Sequence, residues 1–280
     1  QLLRLRRDQL QPDLRVGRLM RVFVEGVGLL GPGLCGWDAG RSVLAGRLPY
    51  VPAPAALTAS SLLPPAERRR CVPTVRLAMA VGAEALGHAG RQPAGVATVF
   101  TSSSGDPDTL HNILETLASA DRELSPTRFH NSVHNAPAGY WSIATGCREP
   151  STSLCRDDES FQVGLLEAVT QAVVEQRVVA LVAYDLPYPE PLAAVHRIAA
   201  PLGVALVLTP ERTERTVAEL EIALGQGAVE PTRMADAGLE VLRTGNPAGR
   251  GLPLLAALAG ERVASVELEL SPRNRITVEV

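Results

Sequence analysis

Cysteine, histidine and acidic side chains that could take part in catalysis stand close together in the middle of the chain. Cys155 and Asp158 lie in the segment Leu-Cys-Arg-Asp-Asp-Glu, and His130 and His134 precede them in Phe-His-Asn-Ser-Val-His-Asn. A cysteine with a histidine as its base suits covalent acyl transfer. Two histidines also suit a metal ion, but the pattern offers no third ligand, so we predict no metal site.

The sequence around Cys155 predicts a strand, a sharp turn and a helix. Residues 151–156 have strand character and a helical pattern begins near Glu159, so residues 157–160 should lie at a helix N-terminus. Unpaired N–H groups and the positive end of the helix dipole favour a nucleophile or an anion there. The simpler interpretation is that the acidic residues of this turn only cap the helix.

Three segments around this turn resemble the N-terminal half of the β-ketoacyl synthases, members of the thiolase-like superfamily. Residues 135–146 are similar to the family's Asn-x-x-Ala-Gly helix, and residues 149–153 to its Gly-Pro-Ser approach to the nucleophile strand. Residues 160–185 are similar to the helix and strand that follow the nucleophile. The resemblance implies a cysteine nucleophile at the turn, assisted by two histidines from the second half of the fold.

The sequence departs from the family pattern at the residues that carry this chemistry. Aligned without gaps over residues 150–184, the position of the cysteine nucleophile is occupied by Asp158, which cannot form a durable thioester. Only His196 follows the turn, and the chain contains no lysine and no His-Gly-Thr motif. We therefore expect no catalytic residue for condensation. Cys155 with His134 remains an alternative nucleophile and base, against the interpretation of Cys155 as an ordinary buried strand residue.

The flanking sequence predicts an α/β fold. Apolar runs alternate with helical patterns up to residue 211, which favours a mostly parallel sheet covered on both faces. Residues 125–135 should form a loop, 215–227 an edge strand and 264–280 a hairpin. The resemblance implies the thiolase-like α/β/α/β/α layers, with the first βαβαβαββ half intact and the second strongly reduced.

We interpret the chain as one domain with an added N-terminal segment. Residues 1–19 are basic, precede the family-like opening at Met20, and are expected to lie outside the fold. Residues 20–210 correspond to the N-terminal half of a ketosynthase, where the resemblance is good. Residues 211–280 correspond to a truncated second half, where the resemblance is thin.

Composition limits the partners and the compartment. A net charge of −3 and a pI near 6.0 argue against nucleic acid or an anionic membrane as the main partner. No apolar run approaches the length that spans a bilayer. The four cysteines show no paired spacing, so we interpret them as free thiols in a reducing cytoplasm.

Ketosynthase-like proteins without the nucleophile are known as chain-length factors, which pair with an active ketosynthase and help to shape the tunnel for the growing chain. The sequence resembles this kind of subunit, of the short type found in aryl polyene clusters. The resemblance implies a heterodimer with an active ketosynthase, an acyl carrier protein as partner, no cofactor and no independent condensation. The residues expected at the interface or tunnel are Phe129, His130, His134, Tyr140 and Trp141.

Two other functions remain open from the sequence. One is an autonomous acyl-thioester hydrolase or acyltransferase that uses Cys155 and His134. The other is a homodimeric module that binds an acyl carrier protein without catalysis.

Overall fold

The structure, a computed structural model, describes residues 19–260 and 264–280. The expected N-terminal extension therefore lies outside the described residues, except for the exposed Leu19. The described strands are β1 (Met20–Gly31), β2 (Leu34–Cys35), β3 (Ala97–Thr101), β4 (Ser151–Leu154), β5 (Val179–Asp185), β6 (Leu202–Thr209), β7 (Ala218–Gln226), β8 (Ser265–Ser271) and β9 (Asn274–Glu279).

The helices cover both faces of the sheet. They are α1 (Trp37–Leu44), α2 (Pro65–Arg70), α3 (Pro73–Ala89), α4 (Pro107–Ala118), α5 (Pro126–Asn131), α6 (Ala136–Thr145), α7 (Ser160–Glu175), α8 (Ala237–Thr244) and α9 (Leu252–Ala259). The apolar core on one face includes residues of α3 and α6, and the core on the other face includes residues of α7, α8 and α9. None of the described helices is both long and apolar enough to cross a membrane.

The strands form one mixed nine-stranded sheet in the order β4-β3-β5-β6-β1-β7-β9-β8, with β2 beside β1. Among the described strands, β3–β4 and β3–β5 pair in parallel and the other pairs are antiparallel, so the expectation of a mostly parallel sheet is wrong. The reason is visible between β5 and β6, where residues 186–201 contain one short 3₁₀ turn and no crossover helix. A parallel pair needs such a crossover, and β6 returns antiparallel.

The predicted α/β class and the intact first half are confirmed. The reduced second half extends the same sheet, so the described residues form three layers, α/β/α, and not the five that were expected. Strand β7 lies between β1 and β9, so the prediction of an edge strand at residues 215–227 is wrong. The hairpin of β8 and β9 forms as predicted and covers the second side of β7. Residues 126–131, expected in a loop, form α5, and α8 was not predicted.

Helix α3 lies directly on the backbone of β1 because two strand residues have no side chain. A Cβ atom added to Gly28 would lie 2.0 Å from the Val81 carbonyl oxygen, and one added to Gly26 would lie 2.0 Å from that of Ala85. The His88 ring closes the same contact, since its Nδ1 lies 2.7 Å from the Val27 carbonyl oxygen and donates to it. This close approach fixes α3 across the middle of the sheet.

We predict that Gly28→Ala lowers the free energy of unfolding by about 1–3 kcal/mol or more, because the methyl group collides with backbone and not with a movable side chain. The matched change is Gly87→Ala on the exposed side of α3, where an added Cβ meets nothing within 4 Å. It should raise the free energy of unfolding by about 0.5–1 kcal/mol, since alanine favours the helix. Chemical denaturation measures both; equal effects of the two variants would contradict the packing described.

Candidate functional site

The carboxyl ends of three strands lie side by side because β3 pairs in parallel with both β4 and β5. The loop after β3 carries Ser102 and Ser103, the turn after β4 carries Cys155 and Asp158, and β5 ends at Asp185. In α/β proteins with parallel strands, ligands bind at the carboxyl ends of the strands. The fold therefore brings together the segments whose side chains could take part in catalysis.

The turn between β4 and α7 is strained and firmly held. Asp157 has a φ of 37°, in the left-handed region that side chains other than glycine rarely adopt. The Ser160 hydroxyl accepts from the Arg156 N–H at 2.9 Å and donates to the Asp157 carbonyl at 2.8 Å. Thr101 at the end of β3 donates its hydroxyl to the Ser160 carbonyl at 2.7 Å. These bonds keep an elbow with the predicted strand–turn–helix form.

Asp158, at the position that the resemblance assigns to the nucleophile, faces solvent. Its side chain is 57% exposed, and its contact with Arg250 is a single ion pair of 3.4 Å. An exposed pair of this kind contributes little stability. The adjoining cavity measures about 50 Å³ and is lined in part by Gln162, Arg243 and Arg250.

Cys155 and His134 lie against neighbouring peptide groups of the loop after β3. Cys155 Sγ is 3.3 Å from the Ser103 carbonyl oxygen, and His134 Nε2 is 2.9 Å from that of Ser102. A carbonyl oxygen only accepts, so the thiol and the imidazole N–H both donate. His134 Nε2 therefore cannot act as a base in this arrangement. The expectation that Cys155 is buried in the strand is wrong, since Cys155 follows β4 and is exposed.

Asp185 is a buried carboxyl group that the sequence analysis did not single out. It is 1% exposed, and its Oδ1 accepts from the Ser102 hydroxyl at 3.0 Å, the Ser103 N–H at 2.8 Å and the Ser103 hydroxyl at 2.7 Å. Burial raises the pKa of Asp185 to about 7, against the serine hydrogen bonds, which lower it. Asp185 thus fixes the loop whose carbonyl groups also accept hydrogen bonds from Cys155 and His134.

The five residues predicted for an interface or tunnel lie at two depths. Tyr140 and Trp141 are each 1% exposed inside the core between α3 and the sheet. Trp141 packs edge-on against Phe100, with ring centroids 6.3 Å apart. Phe129 is 63% exposed, His130 is exposed and His134 is half-buried. Phe129 and His130 are therefore accessible at the surface, while Tyr140 and Trp141 lie beneath it.

Over the described ranges, no group of three or more histidine, cysteine or acidic side chains is arranged to hold a metal ion. The histidines His130 and His134 make separate contacts instead: the His130 ring lies edge-on to Tyr140 at 6.1 Å, and His134 bonds to Ser102.

We predict that stability falls as the pH rises from about 4 to about 7, the range between the unfolded and native pKa values of Asp185. The native pKa of Asp185 is about 7 and the ordinary value is 3.8, so between these values the native state holds a proton that the unfolded chain has lost. Each pH unit within this window removes up to about 1.4 kcal/mol. Asp185→Asn keeps an acceptor for the serines and should flatten this slope in denaturation curves recorded at pH 5, 6, 7 and 8; an unchanged slope would contradict the assignment.

Comparison with known proteins places these features in a family. The model of the β-ketoacyl synthase N-terminal domain matches residues 45–244. No curated protein matches the chain.

Three solved structures share the fold. The ketosynthase (ApeO) in complex with its chain length factor (ApeC) from Xenorhabdus doucetiae has a TM-score of 0.70 at 23% identity, covering 93% of this chain and 100% of that one. A type II PKS acyl-carrier protein in complex with its ketosynthase (AntDE:AntF) has a TM-score of 0.68 at 12% identity, with coverages of 94% and 99%. The ishigamide ketosynthase/chain length factor has a TM-score of 0.67 at 13% identity, with coverages of 93% and 98%.

The family match spans the elbow, the loop after β3 and Asp185, and the structural likeness confirms a thiolase-like ketosynthase fold. The chain belongs to the β-ketoacyl synthase N-terminal domain family.

Proposed function

We propose that this chain is a non-catalytic, chain-length-factor-like subunit that pairs with an active β-ketoacyl-ACP synthase. The pathway would be of the polyketide or fatty-acid type, as in aryl polyene-like clusters, with an acyl carrier protein delivering the chains in the cytoplasm. Family membership supports the ketosynthase-like part of this proposal. Two similar structures are described as a ketosynthase with a chain length factor, and one of their chains is covered in full by this chain.

The observation that carries the proposal is the edge strand β4, which pairs with no second strand among the described residues and leads into an elbow bearing Asp158 instead of a thiol. The other edge of the sheet, β8, is covered: Thr232 donates its N–H to the Glu267 carbonyl at 2.9 Å and accepts from the Glu267 N–H with its hydroxyl at 2.9 Å. Strand β8 also carries charged side chains, which discourage strand pairing. Strand β4 has only small, uncharged residues and leucine.

The hydrogen bonds between β3 and β4 show which backbone groups remain available. The Pro150 carbonyl accepts from the Thr98 N–H at 3.0 Å, and the Leu154 carbonyl accepts from the Ser102 N–H at 3.3 Å. Because a parallel strand turns alternate residues toward its neighbour, the N–H and C=O groups of Ser151 and Ser153 face outward. They suit pairing with a strand of another subunit.

Exposed apolar side chains on helices of the same half of the chain support a subunit contact. Leu110, Leu114 and Leu117 of α4 are 39%, 45% and 46% exposed, and their spacing places them on one face of the helix. This apolar face of α4 meets solvent. Phe129 in α5 and Val133 just after it are also exposed. Grouped apolar exposure of this kind is typical of protein–protein contacts.

We predict that Ser153→Pro abolishes or weakens pairing with the ketosynthase subunit by at least about tenfold. Proline removes an outward N–H and blocks strand pairing, while the inward bonds of β4 to β3 do not use this group. The matched control is Ser153→Ala, which keeps the N–H. Co-expression with a tagged ketosynthase, followed by analytical gel filtration, measures the complex. A one-to-one complex that forms equally with both variants would remove the β4 edge from the proposal.

The second candidate function, an autonomous acyl-thioester hydrolase or acyltransferase, is favoured by one observation, the exposure of Cys155. The arrangement of Cys155 and His134 does not favour thioester cleavage, because both side chains donate hydrogen bonds to carbonyl oxygens and not to each other. We predict that the isolated chain shows no turnover of acyl-CoA or acyl-pantetheine thioesters and that Cys155→Ala leaves carrier-protein-dependent elongation by the two-subunit complex within about twofold of wild type. Thioester turnover by the chain alone that is lost in Cys155→Ala would replace the proposed function with this second one.

A further inference from the structure

A cavity of about 520 Å³ opens between α1, the start of β7 and the end of α9. Its described lining includes Trp37, Arg41, Arg47, Val217, Leu258 and Ala259. The volume is within the usual range for small-molecule sites. We infer that this α1–α9 cavity binds a small amphipathic anion, in which a carboxylate or phosphate ester is joined to an apolar body. The proposed function uses β4, α4 and α5, whereas the described lining comes from other parts of the chain, so the two proposals are independent.

Hydrogen bonds hold the walls of the α1–α9 cavity in one arrangement. Glu84 of α3 accepts from the N–H of Trp37 at 2.6 Å and from that of Leu29 at 2.8 Å, which ties the start of α1 to β1. The Arg47 guanidinium donates to the Ala259 carbonyl at 3.4 Å and links the segment after α1 to the end of α9. Walls fixed in this way lower the entropic cost of binding a ligand.

The charged part of the lining is positive. Trp37 and Arg41 are four residues apart in α1 and therefore lie on the same face of the helix. Arg41 and Arg47 are both exposed, and the described lining residues include no acidic side chain. Arg47 uses one of its five N–H donors on the Ala259 carbonyl, where it also offsets the negative end of the α9 dipole. The remaining donors suit an oxyanion, since guanidinium binds carboxylate and phosphate with paired hydrogen bonds.

The apolar part of the lining continues the core. Trp37 and Leu258 are half-buried against the apolar core that contains α9, and Ala259 is buried within it. Val217, the residue before β7, is 65% exposed and offers apolar surface that a ligand would cover. A neutral lipid would leave the two guanidinium groups without a partner, and a bare anion would leave this apolar wall in water. An anion with an apolar body matches both parts of the lining.

Isothermal titration calorimetry of the purified full chain with octanoate and with octyl phosphate tests this site. Octanamide is the neutral control ligand and acetate the control without an apolar body. The test variant is Arg41→Gln/Arg47→Gln, and the matched control is Arg122→Gln/Arg273→Gln, which removes two exposed arginines outside the described lining. We expect the test variant to bind octanoate about tenfold or more weakly, because it loses charge-assisted hydrogen bonds, while the control stays within about twofold of wild type. Octanamide and acetate should each bind at least about tenfold more weakly than octanoate.

Tryptophan fluorescence locates the ligand in the cavity. The chain contains two tryptophans, and Trp141 is buried in the other apolar core, so Trp141→Phe leaves Trp37 as the reporter. Octanoate should change the emission of Trp37 in this variant. Val217→Asp keeps the test decisive if Trp141→Phe does not fold, because it alters an exposed position. The added carboxylate repels the bound anion and should weaken its binding by about tenfold.

The results divide clearly. Binding of octanoate or octyl phosphate that depends on Arg41 and Arg47 supports the site, and the tighter of the two ligands identifies the anionic group. Equal binding by wild type and the arginine variant would place the ligand elsewhere and overturn the inference. Octanamide or acetate binding as tightly as octanoate would overturn it too, because the cavity would then recognise only one part of the ligand. Unchanged Trp37 emission at saturating octanoate, or no binding of either octyl anion to wild type, would have the same consequence.

Discussion

The parallel pairing of β3 with both β4 and β5 is the constraint on which the rest of the site depends. All five residues of β3 are buried, and its backbone is bonded on both sides. Two strands that run parallel to the same neighbour have their carboxyl ends on the same side of the sheet. The backbone pairing alone therefore places the elbow, the loop after β3 and Asp185 next to one another. Side-chain hydrogen bonds then fix these segments: Asp185 accepts from Ser102 and Ser103, and Thr101 donates to the first residue of α7.

The elbow keeps its form although the residue at the nucleophile position is a carboxylate. Positive φ at a residue other than glycine costs about 1–3 kcal/mol and persists only where the surroundings impose it, as Ser160 and Thr101 do here. Within the described ranges Asp158 makes one exposed ion pair, so its chemistry does not explain why the elbow is maintained. The elbow ends β4, the strand whose open edge is proposed to meet the partner subunit, and a relaxed turn would release that edge.

Much of this arrangement could be predicted from the sequence, because strands β1, β5 and β6 are continuous apolar runs and helix α7 begins after a recognisable turn. Strand direction could not, since it depends on the missing crossover helix between β5 and β6. The interior place of β7 was missed because its second neighbour, β9, lies about fifty residues further along the chain. Asp185 was missed because an acidic residue at the end of a buried strand looks in sequence like the start of a loop.

The depth of Tyr140 and Trp141 was also invisible in the sequence, and its cause bears on function. Helix α6 has apolar or small residues on every side, so no pattern indicates which face is covered. In the structure, α3 covers Tyr140 and Trp141, and their burial anchors Asn131 and hence the end of α2. The same buried link therefore positions α5, which carries Phe129 and Arg128. The contact proposed with a ketosynthase subunit uses α5, so a shift of this short helix would disturb that contact.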